Sequence, residues 1–267
     1  MLRNFLASFL SIYQDLWYDN YGDNMQRYFI NKENIKNKQI IITGQDAHHI
    51  KVVMRMSLDD QVIINTTEGD IYLASISQIN KSDVYLQIIN SLENTFKPFN
   101  LTLGVSMIKK DNFELVLQKV TELGVKAILP LTTERSIIKI DDFSKKLNRY
   151  ETIIKEASEQ SERTILPKIH DLTNLDNLDL TNYNKLIVCY ARENDESLSN
   201  ILEDIFPTDN VLALIGPEGG FSSKEIQKLK SKGFKTVSLG KTILRAETAA
   251  IYVTSIMKFI MEAKSWK

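Results

Sequence analysis

The sequence predicts an α/β protein, with a C-terminal domain of alternating strands and helices preceded by a small N-terminal β-barrel. Three observations carry this. The run Val211 to Ile215 is entirely aliphatic and too short for a helix, which suits a buried parallel strand. It exits into Gly216-Pro217-Glu218-Gly219-Gly220, and a second glycine turn at Leu239-Gly240 precedes Ile243-Leu244-Arg245-Ala246-Glu247-Thr248-Ala249-Ala250. Upstream of residue 95, short alternating apolar segments replace the βα pattern.

Residues 1 to 24 are apolar but interrupted by Asn4, Ser8 and Ser11, without the clean core and cleavage site of a signal peptide. Met25 offers an alternative start. The stretch is read as an extension, disordered or non-native, with a short amphipathic helix as the second reading.

From Met25 to about Thr95 strands are expected at Arg27 to Ile30, Gln39 to Thr43, Gln61 to Asn65, Asp70 to Ile79 and Asp83 to Ile89. Alternation at Ile71, Leu73, Ser75 and at Val84, Leu86, Ile88 marks them as half-buried and antiparallel, with barrel closure the natural outcome. Between them Asp46 to Met56 reads as a helix with Ile50, Val53 and Met54 inward. His49, Lys51 and Arg55 then face outward with Arg27, either as an ordinary solvated face or as cations and a stacking ring for RNA.

The polar run from Ser91 to Phe99 reads as a linker, giving domains over 25–95 and 97–267. Leu101 to Ser106, the helical spacing of Phe113, Val116, Leu117 and Val120, a glycine stop at Gly124 and the run Ala127 to Leu131 make a βαβ unit. Phe143 to Ser161 reads as a long helix. Its polar tail is solvated surface, or else Gln160 and Arg163 point into a site and read a base or phosphate. Strands follow at Lys185 to Tyr190 and Val211 to Ile215. Ser222 with Glu225 forms a capping-box pattern for a helix ending near Gly233, then Thr236 to Leu239 is a strand. In the last helix Ala249, Val253, Ile256 and Ile260 share one face.

Composition narrows the function. The 267 residues carry 33 basic and 34 acidic side chains, so any nucleic-acid footprint must be local. Two basic and nine acidic residues lie between Asp171 and Val211, against ten basic and four acidic from Leu212 to Lys267. One cysteine, Cys189, excludes intrachain disulfides and cysteine-based zinc sites, and three histidines make a histidine metal site a poor expectation. No apolar run reaches membrane-spanning length, so a cytoplasmic protein is expected. The glycine turns fit neither GxxxxGK[ST] nor GxGxxG, which disfavours NTPase and dinucleotide folds. Glycine turns at strand carboxyl ends are nonetheless where α/β proteins bind ligands.

LIGPEGGFSSKEI and LGKTILRAETAA, with TELGV, EASEQSERTILP, MQRYFI and AHHIKVVMRM, resemble the RsmE family of 16S ribosomal RNA methyltransferases over Met25 to Lys267. Thr242 stands where members often carry arginine, and Ala246 where threonine is usual. The resemblance implies a PUA-like RNA-binding barrel, a SPOUT-type domain with a trefoil knot, a homodimer, and methylation of N3 of a uridine in 16S rRNA or the small ribosomal subunit with S-adenosylmethionine. It further implies a cofactor site from Leu214, Ile215, Gly216, Glu218, Gly219 and Gly220, with Leu239, Gly240, Ile243, Leu244, Thr248 and Ala249. RNA would be met by Arg27, His49, Lys51, Arg55, Gln160 and Arg163. Arg245 is the candidate to stabilise charge on the target base and Glu247 to orient it or accept a proton; the other reading is a structural Arg-Glu pair capping the last helix. A non-catalytic RNA-binding or ribosome-assembly protein of the same fold, or a knotted methyltransferase of another RNA, are the alternatives.

Overall fold

In the computed structural model the chain divides into two units, Met1–Asn94 and Thr95–Lys267. The structure describes residues 25–94, 99–136, 143–191 and 198–265. The extension expected over residues 1–24 therefore lies outside the described residues, as do positions 95–98 of the expected linker.

The first unit contains β1 (Arg27–Ile30), β2 (Ile35–Lys36), β3 (Gln39–Ile42), helix α1 (Gly44–His48), β4 (Gln61–Thr66), β5 (Ile71–Ile79) and β6 (Val84–Leu92). They form one sheet in the order β1-β4-β5-β6-β3-β2. Tyr28 and Ile30 near one end of this ladder share a core with Ile40 and Ile42 near the other, so the sheet curls round its own apolar face. Two expectations are corrected. The pairing of β1 with β4 is parallel, and the ladder ends at β1 and β2, so closure is not made by a ladder between these end strands. The strand β6 also runs on to Leu92, into the stretch read as linker.

The helix expected over Asp46 to Met56 is α1 followed by a π-helical turn, His49–Val53. Ala47 and Ile50 are fully buried and plug the curled sheet. Val53 and Met54, expected inward, are 59% and 39% exposed. The wider turn is the reason: with i→i+5 bonding, residues three and four after Ile50 no longer return to its face. Met54 N–H donates to His49 O at 2.9 Å, and Arg55 leaves the turn at φ +53°.

The second unit contains β7 (Leu101–Ser106), α2 (Lys110–Glu122), β8 (Ala127–Thr132), α3 (Leu147–Gln160), β9 (Lys168–Ile169), β10 (Thr173–Asn174), β11 (Lys185–Cys189), α4 (Leu198–Leu202), β12 (Val211–Ile215), α5 (Ser223–Ser231), β13 (Lys235–Val237) and α6 (Ala246–Ser265). The main path is β10-β8-β7-β12-β11-β13, every pairing on it parallel, with β9 beside β8. The strand β12 lies between β7 and β11 with all five residues buried, which is why its sequence is continuously apolar. Val211, Ala213 and Ile215 enter the core beneath α2, α3 and α6, whereas Leu212 and Leu214 enter the opposite core with Ile226 and Leu229 of α5. A Cβ on Gly104 of β7 would stand 2.4 Å from Leu214 Cδ2, so this glycine makes room for the leucine.

The capping box of α5 is fully formed. Glu225 N–H donates to Ser222 Oγ at 3.2 Å and Ser222 N–H to Glu225 Oε2 at 2.7 Å. Helix α3 starts at Leu147, four residues later than the expected Phe143. Ala249 and Val253 of α6 are buried and Ile256 and Ile260 pack against the same core, so the apolar face of the last helix covers its own sheet. No helix among the described residues is long and apolar enough to cross a membrane.

Candidate active site

Three strands deliver their carboxyl ends to one place. Because β11 lies between β12 and β13, its exit at Cys189-Tyr190-Ala191 stands with the two glycine exits, Gly216 to Phe221 and Ser238 to Leu244. The start of α6, through Ala246 and Ala249, completes a cavity of about 260 Å³. Parallel sheets bind ligands at such carboxyl ends.

The glycine loops are shaped by the backbone. Gly220 has φ +65° and Gly240 φ +127°, and a Cβ at either would meet no atom within 4 Å. Such conformations are open to glycine and strained for other residues. Gly220 N–H donates to Pro217 O at 2.8 Å, closing the first loop, and Ser238 Oγ donates to Gly240 O at 3.0 Å across the second. Opposite the glycines, Ile215, Phe221, Leu239 and Leu244 supply apolar wall. Ile243, 83% exposed, stands at the rim.

Of the residues expected at a cofactor, Ile215, Gly216, Glu218, Gly219 and Gly220 line this cavity from the first loop. Leu239, Gly240, Ile243, Leu244 and Ala249 line it from the second and from α6. Leu214 does not: its side chain is fully buried in the core on the α5 side, drawn there by the space over Gly104. Thr248 lies exposed on α6, outside the lining residues. Arg245 is exposed between the lining residues Leu244 and Ala246, and its carbonyl accepts Ala249 N–H at 2.8 Å to open α6. Glu247 is 9% exposed, and its buried Oε2 has no hydrogen-bond partner. Among the described residues no ion pair joins Arg245 to Glu247, so the structural pair is not formed.

The wall also contains Arg135, Cys189, Tyr190 and Ser238, which the sequence reading passed over. Desolvation pushes the half-buried Cys189 thiol up to about 12, which favours the protonated form at neutral pH. Among the described residues no cluster of three or more His, Cys, Asp or Glu side chains is placed to hold a metal ion.

The residues expected at RNA are dispersed. Arg163 is the clearest correction: it is 3% exposed, turned inward, and bound to backbone carbonyls, so it cannot meet a base or phosphate. Gln160 is exposed at the end of α3. In the first unit Arg27 is half-buried. His49, expected as a stacking ring, is committed to Tyr28 through a 3.0 Å Nδ1 to hydroxyl hydrogen bond and an edge-on ring contact. Lys51 Nζ donates to Lys81 O at 2.8 Å and Asn80 O at 3.4 Å. Arg55 is exposed.

Residues 95–258 match the family model of an RNA methyltransferase domain, and residues 42–89 that of an RNA methyltransferase PUA domain. The chain is 33% identical over 250 residues to ribosomal RNA small subunit methyltransferase E of Bacillus subtilis (strain 168), covering 89% of this chain and 98% of the relative. It is also 33% identical over 230 residues to the protein of the same name in Rickettsia conorii, with 84% and 91% covered. Two solved structures are similar. One is a methyltransferase of Legionella pneumophila in complex with the cofactor SAM, with a TM-score of 0.80, 30% identity and 89% and 98% covered. The other is ribosomal RNA small subunit methyltransferase E of Neisseria gonorrhoeae bound to S-adenosyl methionine, with a TM-score of 0.76, 28% identity and 89% and 98% covered.

Proposed function

The chain belongs to the ribosomal RNA small subunit methyltransferase E family, and from that premise we propose that it methylates N3 of a uridine in 16S rRNA, using S-adenosylmethionine. The observation that carries the reading is the convergence of both glycine exits and the end of β11 on one cavity. The site fits this donor: Gly220 and Gly240 leave open space where any side chain would project, and the apolar wall offers faces for an adenine ring. Backbone amides and carbonyls of residues 215–220 and 239–244 would hold its adenine edge and ribose. When bound, it supplies a methyl group activated by a sulfonium.

What remains is alignment and proton management. Uridine N3 is protonated at neutral pH; as its proton leaves, negative charge spreads onto the flanking carbonyl oxygens. Arg245, exposed beside the cavity, stabilises that charge. Glu247, in the first turn of α6 with an unpartnered buried oxygen, is the candidate to accept the proton; its alternative role, orienting the guanidinium, would need a contact with Arg245 made when the substrates bind. The first unit positions RNA through Arg55 and Lys51, with Arg27 as a further contact, and the second unit adds Gln160.

Three finer features belong to the same reading. The order β12-β11-β13, in which β12 and β13 are consecutive in the chain but not paired, supports a SPOUT-type crossing with a trefoil knot. A homodimer is supported by the exposed Tyr252 and Phe259 on α6. A cytoplasmic location follows from a ribosomal RNA substrate.

The test is calorimetric titration of S-adenosylmethionine into the wild type and Gly220→Val, beside mass spectrometry of rRNA nucleosides from a deletion strain. Expected are binding by the wild type, at least a tenfold loss in the folded variant, and a missing N3-methyluridine. Unchanged affinity in Gly220→Val would remove this loop from the site. Binding with an unaltered nucleoside profile would favour a non-catalytic assembly role.

A further inference from the structure

The cavity wall carries two opposite charges that the mechanism above does not use. Arg135 follows β8 in a tight turn, in which Ser136 N–H donates to Thr133 O at 3.0 Å and the Thr133 and Ser136 hydroxyls meet at 2.8 Å. Glu134 N–H donates to Glu225 Oε1 at 2.8 Å, so the carboxylate that caps α5 also anchors this turn. Arg135 then reaches the first glycine loop, where Nη1 donates to Gly219 O at 2.6 Å and Cδ would lie 3.2 Å from a Cβ on Gly219. That bond occupies one of five guanidinium N–H donors. Glu218, adjacent in the same loop, accepts Lys109 N–H through Oε1 at 3.2 Å. Among the described residues lining the cavity, Arg135 and Glu218 are the charged side chains; the others are glycines, aliphatic and aromatic groups, hydroxyls and a thiol.

An anion and a cation on one wall match an α-amino-acid zwitterion. We infer that Arg135 and Glu218 hold the amino-acid head of the methyl donor, the guanidinium taking the carboxylate and the Glu218 carboxylate the ammonium. This rests on the cofactor assignment made above. A guanidinium presents a planar fork that a carboxylate meets with two parallel hydrogen bonds, and its anchorage on Gly219 O orients that fork before the ligand arrives. The same arm couples the β8 turn to the glycine loop, so head-group binding and loop shape are linked through one side chain.

The inference is tested by titrating three probes into wild type, Arg135→Ala and Glu218→Gln: S-adenosylmethionine, decarboxylated S-adenosylmethionine, and methylthioadenosine, which lacks the whole head. Arg135→Ala is expected to weaken S-adenosylmethionine about tenfold and the other two less than twofold. Glu218→Gln should weaken both aminated probes and spare methylthioadenosine. Arg135→Gln, which keeps a neutral donor for the loop, should repeat the Arg135→Ala pattern and guards against a folding artefact. Equal losses for all three probes would make Arg135 a prop for the loop and overturn the inference. A wild type that binds none of the probes would instead overturn the cofactor assignment itself.

Discussion

Arg163 donates Nη1–H to the carbonyl of Thr121 at 2.8 Å, joining the end of α3 to the last turn of α2. The same guanidinium reaches Val125 O at 2.9 Å through Nη2 and Ile165 O at 3.1 Å through Nε. Helix ends leave carbonyls without intrahelical partners, and a cation there also meets the negative end of the helix dipole. Burial lowers the guanidinium to about 10, still far above neutrality, so the group is charged where it works.

Arg163→Ala should therefore act on stability. It removes the guanidinium donors from three carbonyls, of which Thr121 O still accepts Gly124 N–H at 2.9 Å, and the loss of these charged hydrogen bonds costs roughly 3–5 kcal/mol in all. For a domain of this size that is a fall in melting temperature of about 10 °C. Arg163→Met, which keeps bulk without donors, should recover little. A variant that melts like the wild type but loses RNA affinity would return Arg163 to the RNA surface.

The first unit should meet RNA through Arg55 more than through its neighbours, because Lys51 is held by the 80–81 carbonyls and His49 by Tyr28. Arg55 is exposed at φ +53°, a conformation that glycine adopts freely, so Arg55→Gly removes the charge without straining the backbone. Its expected signature is weaker RNA binding with the salt slope flattened by about 0.7–0.9, the value of one phosphate contact. Cofactor affinity should not move. An unchanged slope would exclude Arg55 from the contact.

What was legible in the chain was local. The run VLALI, the Ser222 and Glu225 cap, and the stop at Gly124 each depend on residues a few positions apart, and each forms in place. What was not legible depends on partners distant in sequence. No alternation pattern says that β11 lies between β12 and β13, so Cys189 and Tyr190 read as the end of a strand and not as cavity wall. The polar spacing around Arg163 could not reveal carbonyls 38 and 42 residues upstream. Likewise the helical period placed Val53 and Met54 inward until a π-helical turn rotated them out.

Tyr252 and Phe259 lie seven residues apart on α6, two turns along one face, and are 42% and 55% exposed. The opposite face already covers the sheet, so a dimer formed through α6 would use this one. Phe259→Glu should leave the melting curve within a few degrees of wild type and convert a dimer to a monomer in sedimentation at micromolar concentration. A wild type that sediments as a monomer with full activity would end the dimer proposal.

Arg245 stands where the second glycine loop becomes α6, its backbone opening the helix and its side chain exposed beside the cavity. Glu247, two residues on, has a buried oxygen with no partner, and no ion pair ties the two together. If Arg245 stabilises charge that develops only during transfer, Arg245→Ala should lower single-turnover methylation by roughly a hundredfold or more, while cofactor and RNA affinities change little. Arg245→Lys should rescue only in part, because an ammonium lacks the planar fork. Glu247→Gln keeps the shape and one hydrogen-bonding oxygen but cannot carry a proton away, so its loss should shrink as pH rises and solvent base takes over. Each variant is to be measured beside its melting curve. A folded, cofactor-binding Arg245→Ala enzyme with near-normal turnover would take Arg245 out of the mechanism and leave Glu247 to be explained by packing alone.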